Sequence, residues 1–464
     1  MIEQNEIIIG ENAAYLTGAK AAITFSNNSF FEEPDEAVII NAQNGKKSYK
    51  ISPWGKDNDL PDKIIDIVGK NPIGSRCIAF RIDVTYGNGP KFGHIVNGKF
   101  TEYTSDEIEN DAGLKEVQEF FENNDIEGMF SELITDIEWF YNGFCEIILN
   151  RDNPNSRKIL QIAAKEASFS RLESANTKTG NVEHHFYSTK WGDSNINYND
   201  IEVSPVLWSK NPVNELEIKI GRKANPFTGK TKDERNFRYI IPVRLSSPGR
   251  KYYPRPYYYS IIESGWMDFA NQIPVFKQAL MRNGITIAYH IEIHEDYFPK
   301  VFKKEGINSK KEQEARIRKE YNDLNNFLKG ADNAGKTMIT YYKTTPDGKE
   351  IIPDIKITVI DKKMDGKFVE DSQEASAMTF IAFGVHPQQV GPIPGQTVSN
   401  LSGTDKRELY AISQTLQTRL RNRLIKLLYL VKKINKWKPE IQFSIPNLII
   451  NTTDKKNQVE EVNL

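Results

Sequence analysis

"KFVEDSQEASAMTFIAFGVHPQQVGPIPGQTVSNLSGT", residues Lys367–Thr404, decides how the chain is organised. Through Val385 the composition is that of a helix, whereas His386–Thr404 is rich in Pro, Gly and small polar residues and reads as a long exposed loop. Loops of this kind between strong helices usually carry function. Downstream, Leu409, Ile412, Leu416, Leu420, Leu424, Leu427, Val431 and Ile434 form one apolar stripe, which predicts a single helix over Asp405–Trp437. Its other faces carry Arg419, Arg421, Arg423, Lys426, Lys432, Lys433 and Lys436. A solvated charged face is the commoner explanation for such a pattern, and contact with DNA phosphates the rarer one. Only a strand and the polar tail "TDKKNQVEEVNL" follow.

Working upstream, "PYYYSIIESGWMDFANQIPVFKQALMRNG" (Pro256–Gly284) predicts a second long helix with one internal proline, Pro274, and an Asn283-Gly284 stop. Between the two helices lie a strand-like "ITIAYHIEIHED", an amphipathic helix over Lys311–Lys329, and strands around Ile339 and Ile355. Together they form a small α/β insertion. The N-terminal half mixes a Pro-started helix within Ser52–Pro72, helices at Leu114–Asn123 and around Met129–Tyr141, and a β-rich region from Gly143 to about Arg244. In that region "NTKTGNVEHHFYSTKW" is expected to turn at Thr179-Gly180. Residues 1–50 offer only short β-like runs such as Val38–Ile40. The fold class expected is α+β.

At 464 residues the chain can bury a sizeable core, and Lys plus Arg total 61 against 62 for Asp plus Glu. The resulting net charge of -1 gives no support to tight, sequence-independent nucleic-acid binding. Cys77 and Cys145 are too few for a disulfide framework and read as small buried hydrophobes. No signal segment or membrane-spanning run is evident, so a soluble, non-exported protein is expected.

Two strings invite an enzymatic interpretation. "GADNAGKT" (Gly330–Thr337) satisfies GxxxxGK[ST], with Lys336 and Thr337 as phosphate and magnesium partners. A phosphate cradle needs a strand before it and a helix after it. Here a helix precedes and a strand-like "MITYYKT" follows, so the string sits at a helix C-terminus, where the dipole repels phosphate, and Gly330 reads as a helix-ending glycine. "HIEIH" places His290, Glu292 and His294 on one face of a strand, a conceivable divalent-metal set. Alternate strand positions are nevertheless far apart for shared ligation, and a solvated face is the plainer account. His184 and His185 are adjacent and face opposite ways on a strand. No HExxH, GxSxG, CxxC or DFG string occurs.

Three segments carry a family resemblance: "YYYSIIESGWMDFANQIPVFKQALMRNG" (Tyr257–Gly284), "GADNAGKTMIT" (Gly330–Thr340) and, most specifically, "EASAMTFIAFGVHPQQVG" (Glu374–Gly391). In order and character they resemble the portal proteins of tailed double-stranded DNA bacteriophages. Phe383, Gly384, Val385, Pro387 and Gly391 stand where the family's second stem helix ends, and His386 takes a position usually held by proline. "WGKDNDLP" (Trp54–Pro61) and "NGFCEIILNRD" (Asn142–Asp152) fit the family's wing more loosely.

The resemblance implies a wing over 1–255, stem helices over 256–284 and 362–385, a clip over 285–361, and a tunnel loop over 386–404. The wing helix and C-terminal strand and tail would occupy 405–464, with the crown reduced or absent. Gln396, Thr397, Ser399 and Asn400 would face DNA; being uncharged, they would let a duplex slide. Lys303, Lys304, Lys310, Lys311 and Arg316 on the clip would dock the terminase. The family forms rings of roughly twelve subunits by head-to-tail contacts that close. The implied partners are further copies of the chain, the terminase large subunit, the major capsid protein, a head-tail adaptor and double-stranded DNA in the channel. The implied location is the portal vertex of a virion assembled in the host cytoplasm, with no membrane. Neither catalysis nor a cofactor is implied. The alternatives are a nucleotide- or metal-dependent enzyme built on the strings above, and a non-portal connector ring.

Overall fold

The computed structural model describes residues 7–9, 13–16, 21–24, 38–41, 48–177, 180–191, 196–226, 228–283, 289–293, 296–328, 342–344, 351–353, 355–359, 367–391 and 402–448. They divide into two units: Met1–Gln272 with Val369–Leu464, and an insertion, Ile273–Phe368.

The first unit opens with a meander of β1 (Ile7–Ile9), β2 (Ala13–Leu16) and β3 (Ala21–Thr24), followed by β4 (Val38–Asn41) and β5 (Ser48–Ser52). Helix α1 (Leu60–Gly69) buries Ile64 and Val68 and is followed at once by α2 (Pro72–Tyr86). Asn71 caps α2 by accepting from the N–H groups of Ile73 and Gly74 at 3.1 and 2.9 Å, and Pro72 occupies the first turn. Pro72 thus starts a helix as well as ending one. No amphipathic period marks α2, because buried Cys77, Ile78, Val84 and Thr85 are interleaved with Arg76, Arg81 and Asp83.

Next come β6 (Lys91–Val96), β7 (Lys99–Glu102), α3 (Ser105–Glu109), α4 (Ala112–Asn123) and α5 (Ile126–Phe140). Strand β8 (Asn142–Leu149) is central in an antiparallel sheet, flanked by β9 (Ile159–Lys165) and β13 (Arg238–Arg244). Its alternate side chains enter two different cores. Cys145, Ile147 and Leu149 join α4, α5, α6 (Pro212–Lys219) and the C-terminal helix, whereas Phe144 joins α1, α2 and the helices on either side of the insertion. Burial on both faces accounts for the nearly continuous apolar run.

A second sheet runs in the order β12 (Glu202–Pro205), β11 (His184–Tyr187), β10 (Ser170–Glu173), β5, β4. In place of the expected hairpin, His184–Tyr187 pairs with Ser170–Glu173, upstream of the quoted string, and Thr179 of the expected turn lies outside the described residues. His184 lies 2.7 Å from Glu173, while His185 is buried against Phe144 and burial brings it down to about 3. Both thiols are free, buried, and pushed up to about 12 by that burial.

The helix expected over Pro256–Gly284 is interrupted. Gly265, at φ +79°, separates α7 (Ser260–Glu263) from α8 (Trp266–Asn283), and Pro274 lies within α8. In the insertion, β14 (Tyr289–Ile293) pairs antiparallel with β17 (Ile355–Val359), and β15 (Tyr342–Thr344) with β16 (Ile351–Pro353). Between them lie α9 (Tyr297–Glu305), absent from the sequence expectation, and α10 (Lys310–Leu328). Phe298 meets Phe302 and Tyr321 at ring separations of 6.1 and 6.0 Å, which joins the two helices.

Helix α11 (Lys367–Phe383) and the short α12 (Pro387–Val390) return to the first unit. The single helix expected over Asp405–Trp437 is two, α13 (Gly403–Leu416) and α14 (Thr418–Asn435), separated at Gln417. The predicted stripe divides with them: Leu420, Leu424, Leu427, Val431 and Ile434 are buried, whereas Ile412 and Leu416 are 57% and 68% exposed. Strand β18 (Gln442–Ser444) then pairs with β6.

Candidate functional site

The flanks of the insertion meet in one core of the first unit. Tyr258, Ile261 and Met267 on the outgoing side pack in the same cluster as Phe380, Phe383 and Val385 on the returning side. Tyr258 stacks on Phe383 at 4.5 Å and donates its hydroxyl hydrogen to the carbonyl of Trp139. Gly74 of α2 sits at this meeting point. A Cβ there would stand 3.3 Å from Met267 Cε, 3.4 Å from Val68 Cγ1 and 3.5 Å from Phe383 Cε2. Asn271 donates to the Ile67 carbonyl at 2.9 Å and accepts from Asn71 at 3.1 Å, tying α8 to the corner between α1 and α2.

The Phe383-Gly384-Val385 string has a specific physical role. Gly384, at φ +63°, ends α11 in the left-handed conformation; its N–H bonds to Ile381 and that of Val385 to Phe380, both at 3.1 Å. This is the two-bond Schellman termination, with Val385 buried alongside. Arg81 adds a third contact: its Nη1 donates to the Phe383 carbonyl at 3.1 Å, placing positive charge at the helix's negative end. The Arg81 Nε donates to Glu138 at 2.7 Å, and the Thr85 hydroxyl donates to the other Glu138 oxygen at 2.8 Å. Burial depresses the Arg81 guanidinium, but Glu138 outweighs that effect and holds it above its ordinary value. No period or motif in the sequence singles out this pair.

His386 then caps α12, accepting from the Gln388 N–H at 3.3 Å, and Gln389 donates to Ser413 on α13 at 2.9 Å. Ser402 and Asp405 form a capping box at the start of α13. These bonds fix both ends of the segment expected as the tunnel loop; Gln396, Thr397, Ser399 and Asn400 themselves lie outside the described residues.

On the insertion, Lys303 and Lys304 occupy the last turn of α9 and Lys310 and Lys311 the first of α10, all exposed. Arg316 differs from them. It donates to Glu305 at 2.9 Å and Glu320 at 2.6 Å, and these carboxylates raise its pKa and commit it to its own helix pair. His290 and Glu292 lie on β14, paired in register with Thr358 and Lys356, while His294 and Gly330–Thr337 are outside the described residues. Among the described residues no group of three metal-ligating side chains occurs.

Among the carboxylates, Asp136 is strongly perturbed. It edges a cleft of about 270 Å³ with Glu132 and Glu166; burial first, opposed by an N–H bond from Ala167 and assisted by those two like charges, pushes it up to about 7.

No known protein family and no curated protein matches this chain. Solved structures do match in fold. A chain from the virion of a native gene transfer agent particle superposes with a TM-score of 0.50 at 14% identity, covering 83% of each chain. A chain from the neck of a native gene transfer agent particle computed with C12 symmetry matches at 0.49 and 13% identity over 85% of each. The mixed α+β fold is therefore similar to that of a component of a gene transfer agent particle.

Proposed function

We propose that the chain is the portal-type subunit of a phage-like particle, assembling head-to-tail into a closed ring through which DNA is packaged by a separate terminase and later released. It performs no covalent chemistry in this role and needs no cofactor. The observation that carries the proposal is that the helix leading out to the insertion and the helix leading back from it share one core around Gly74 in the first unit. The Schellman end of α11 and the bonded ends of the following loop support the assignment of stem and tunnel loop. The likeness in fold to a gene transfer agent virion chain supports a head or neck location. Exposed Ile381, Ile412 and Leu416 give the first unit apolar surface of the kind a neighbouring subunit covers. The inserted unit would form the clip, with the four exposed lysines meeting the terminase, and a capsid protein and head-tail adaptor would contact the ring.

Electron microscopy of the purified protein tests this directly. A closed ring with a central channel is expected; a uniform population of monomers under assembly conditions overturns it. Nucleotide turnover abolished by Lys336→Ala would favour a motor instead.

A further inference from the structure

A cleft of about 400 Å³ opens where the end of β13 meets α14. Its floor includes Val243 and Leu427, its rim carries Lys210, Arg244, Arg423 and Lys426, and neither Asp nor Glu lines it. Arg244 is held in place by packing. Its guanidinium lies 3.9 Å from the Trp208 ring centroid, and its Nη1 donates to the carbonyls of Lys251 and Tyr252 at 2.7 and 3.2 Å. The Arg244 Nε is buried with no partner. Burial, and next the charge of Arg423, bring this guanidinium down to about 10, so two like charges face the cleft without a counter-ion between them.

Lys210, Arg423 and Lys426 are exposed and join no ion pair among the described residues. The neighbouring Glu215 accepts from the Ser209 N–H at 2.7 Å and lies 3.9 Å from Lys219. The broad basic face expected of this helix has meanwhile been partly used internally. Arg421 is buried, and Lys432 and Lys436 donate to the carbonyls of Ile441 and Asn155. What remains free on one helix face is Arg419, Arg423 and Lys426, at i, i+4 and i+7, with Lys433 a further seven residues on and outside the cleft. At ~1.5 Å per residue the row covers ~10 Å, about the axial rise of three nucleotides in one DNA strand.

We propose that this cleft and the Arg419–Lys426 row bind phosphodiester groups of double-stranded DNA, a contact surface distinct from the tunnel loop. The choice of DNA as partner rests on the portal assignment. Arg423 would supply a forked donor to phosphate oxygens, Arg244 its remaining Nη2 and the two lysines point charges, with no carboxylate in the lining to compete.

The full-length protein is titrated against a short fluorescent duplex between about 50 and about 200 mM salt, with rings scored separately by electron microscopy. Arg423→Glu with Lys426→Glu, both at exposed positions, is expected to weaken binding at least ~10-fold and to lower the salt slope by roughly 2, the value for two lost phosphate contacts. The neutral pair Arg423→Gln with Lys426→Gln should weaken it less, with the same loss of slope. Lys115→Glu, exposed on α4 and outside both the cleft and the row, is expected to leave binding nearly unchanged. Unchanged binding in the double variants, or an equal loss with Lys115→Glu, overturns the proposal. So does calorimetric binding of inorganic phosphate that the double variant abolishes while duplex affinity stays the same, since the site would then serve small anions. Absence of rings from the wild type would sink the portal assignment alone; rings whose DNA affinity ignores these substitutions would sink the cleft alone.

Discussion

Arg81 and Arg421 each bind the carbonyl end of a helix other than their own. Arg81 of α2 closes α11, and Arg421 of α14 closes α2 by donating to the Val84 and Thr85 carbonyls at 2.6 and 3.0 Å. Because Glu138 is 1% exposed, Arg81→Ala would leave a buried carboxylate without its cation. A loss of about 3–5 kcal/mol is expected in urea unfolding, and pairing it with Glu138→Met should recover part of that loss. Asp136 predicts a pH dependence of the opposite kind. Its folded-state pKa, about 7, lies above the ordinary 3.8, so the native state holds the proton more tightly than the unfolded chain. The stability this gives is complete below pH 3.8 and is lost as pH rises through 7. Asp136→Asn keeps an oxygen for the Ala167 N–H and removes the titration. Its stability relative to wild type should therefore rise steadily between those two pH values, and a flat difference in denaturation midpoints would contradict the assignment. None of this was visible in the chain as written, because an Arg or Asp earns its role here from partners tens to hundreds of positions away.

At the scale of elements, the sequence was most legible where structure is local. The Phe383-Gly384-Val385 ending was legible through the family resemblance, whereas composition alone carried the helix on to Val385, past its end at Phe383, although a Schellman motif needs only a glycine and a flanking apolar residue. The α10 period and the β8 run were readable as local pattern. Helix α2 was hidden since Arg76, Arg81 and Asp83 interleave with its buried residues and blur the period, and the breaks at Gly265 and Gln417 were hidden because a continuing apolar period runs across both. Gln417 carries no breaker signal; it is itself buried, and α14 turns its stripe into the core while α13 does not. Gly74 lets α2 approach the bases of α8 and α11. Gly74→Ala places a methyl 3.3 Å from the mobile tip of Met267, a contact that can relax, and gains helix propensity; a change near zero is expected. Gly74→Leu cannot be accommodated that way and should cost about 1–3 kcal/mol by overpacking. If Gly74→Leu proved as stable as Gly74→Ala and still formed rings, the three-helix junction would not be the rigid base described here.

On the scale of the whole molecule, the insertion's boundaries carry the remaining argument. Gln272 and Val369 both belong to the first unit, and among the described residues the dense cores around β8 draw on both sides of the gap and on none within it. The inserted unit, Ile273–Phe368, begins within α8 and takes in the part of that helix that contains Pro274. Proline there supplies no N–H to the carbonyl of Ala270, so the helical ladder is already interrupted beside the boundary. Replacing Ile273–Phe368 with a flexible Gly/Ser linker should therefore leave the first unit folded, with one cooperative transition near the wild-type denaturation midpoint, since loop closure costs only about 0.6 kcal/mol per doubling of length. If such a variant still closes into rings, the apolar surface at Ile381, Ile412 and Leu416 is sufficient for assembly and the insertion serves docking alone. A variant that is folded but monomeric would instead assign a share of the subunit contact to the insertion. A variant that fails to fold would mean that the first unit depends on the insertion, contrary to the two-unit division.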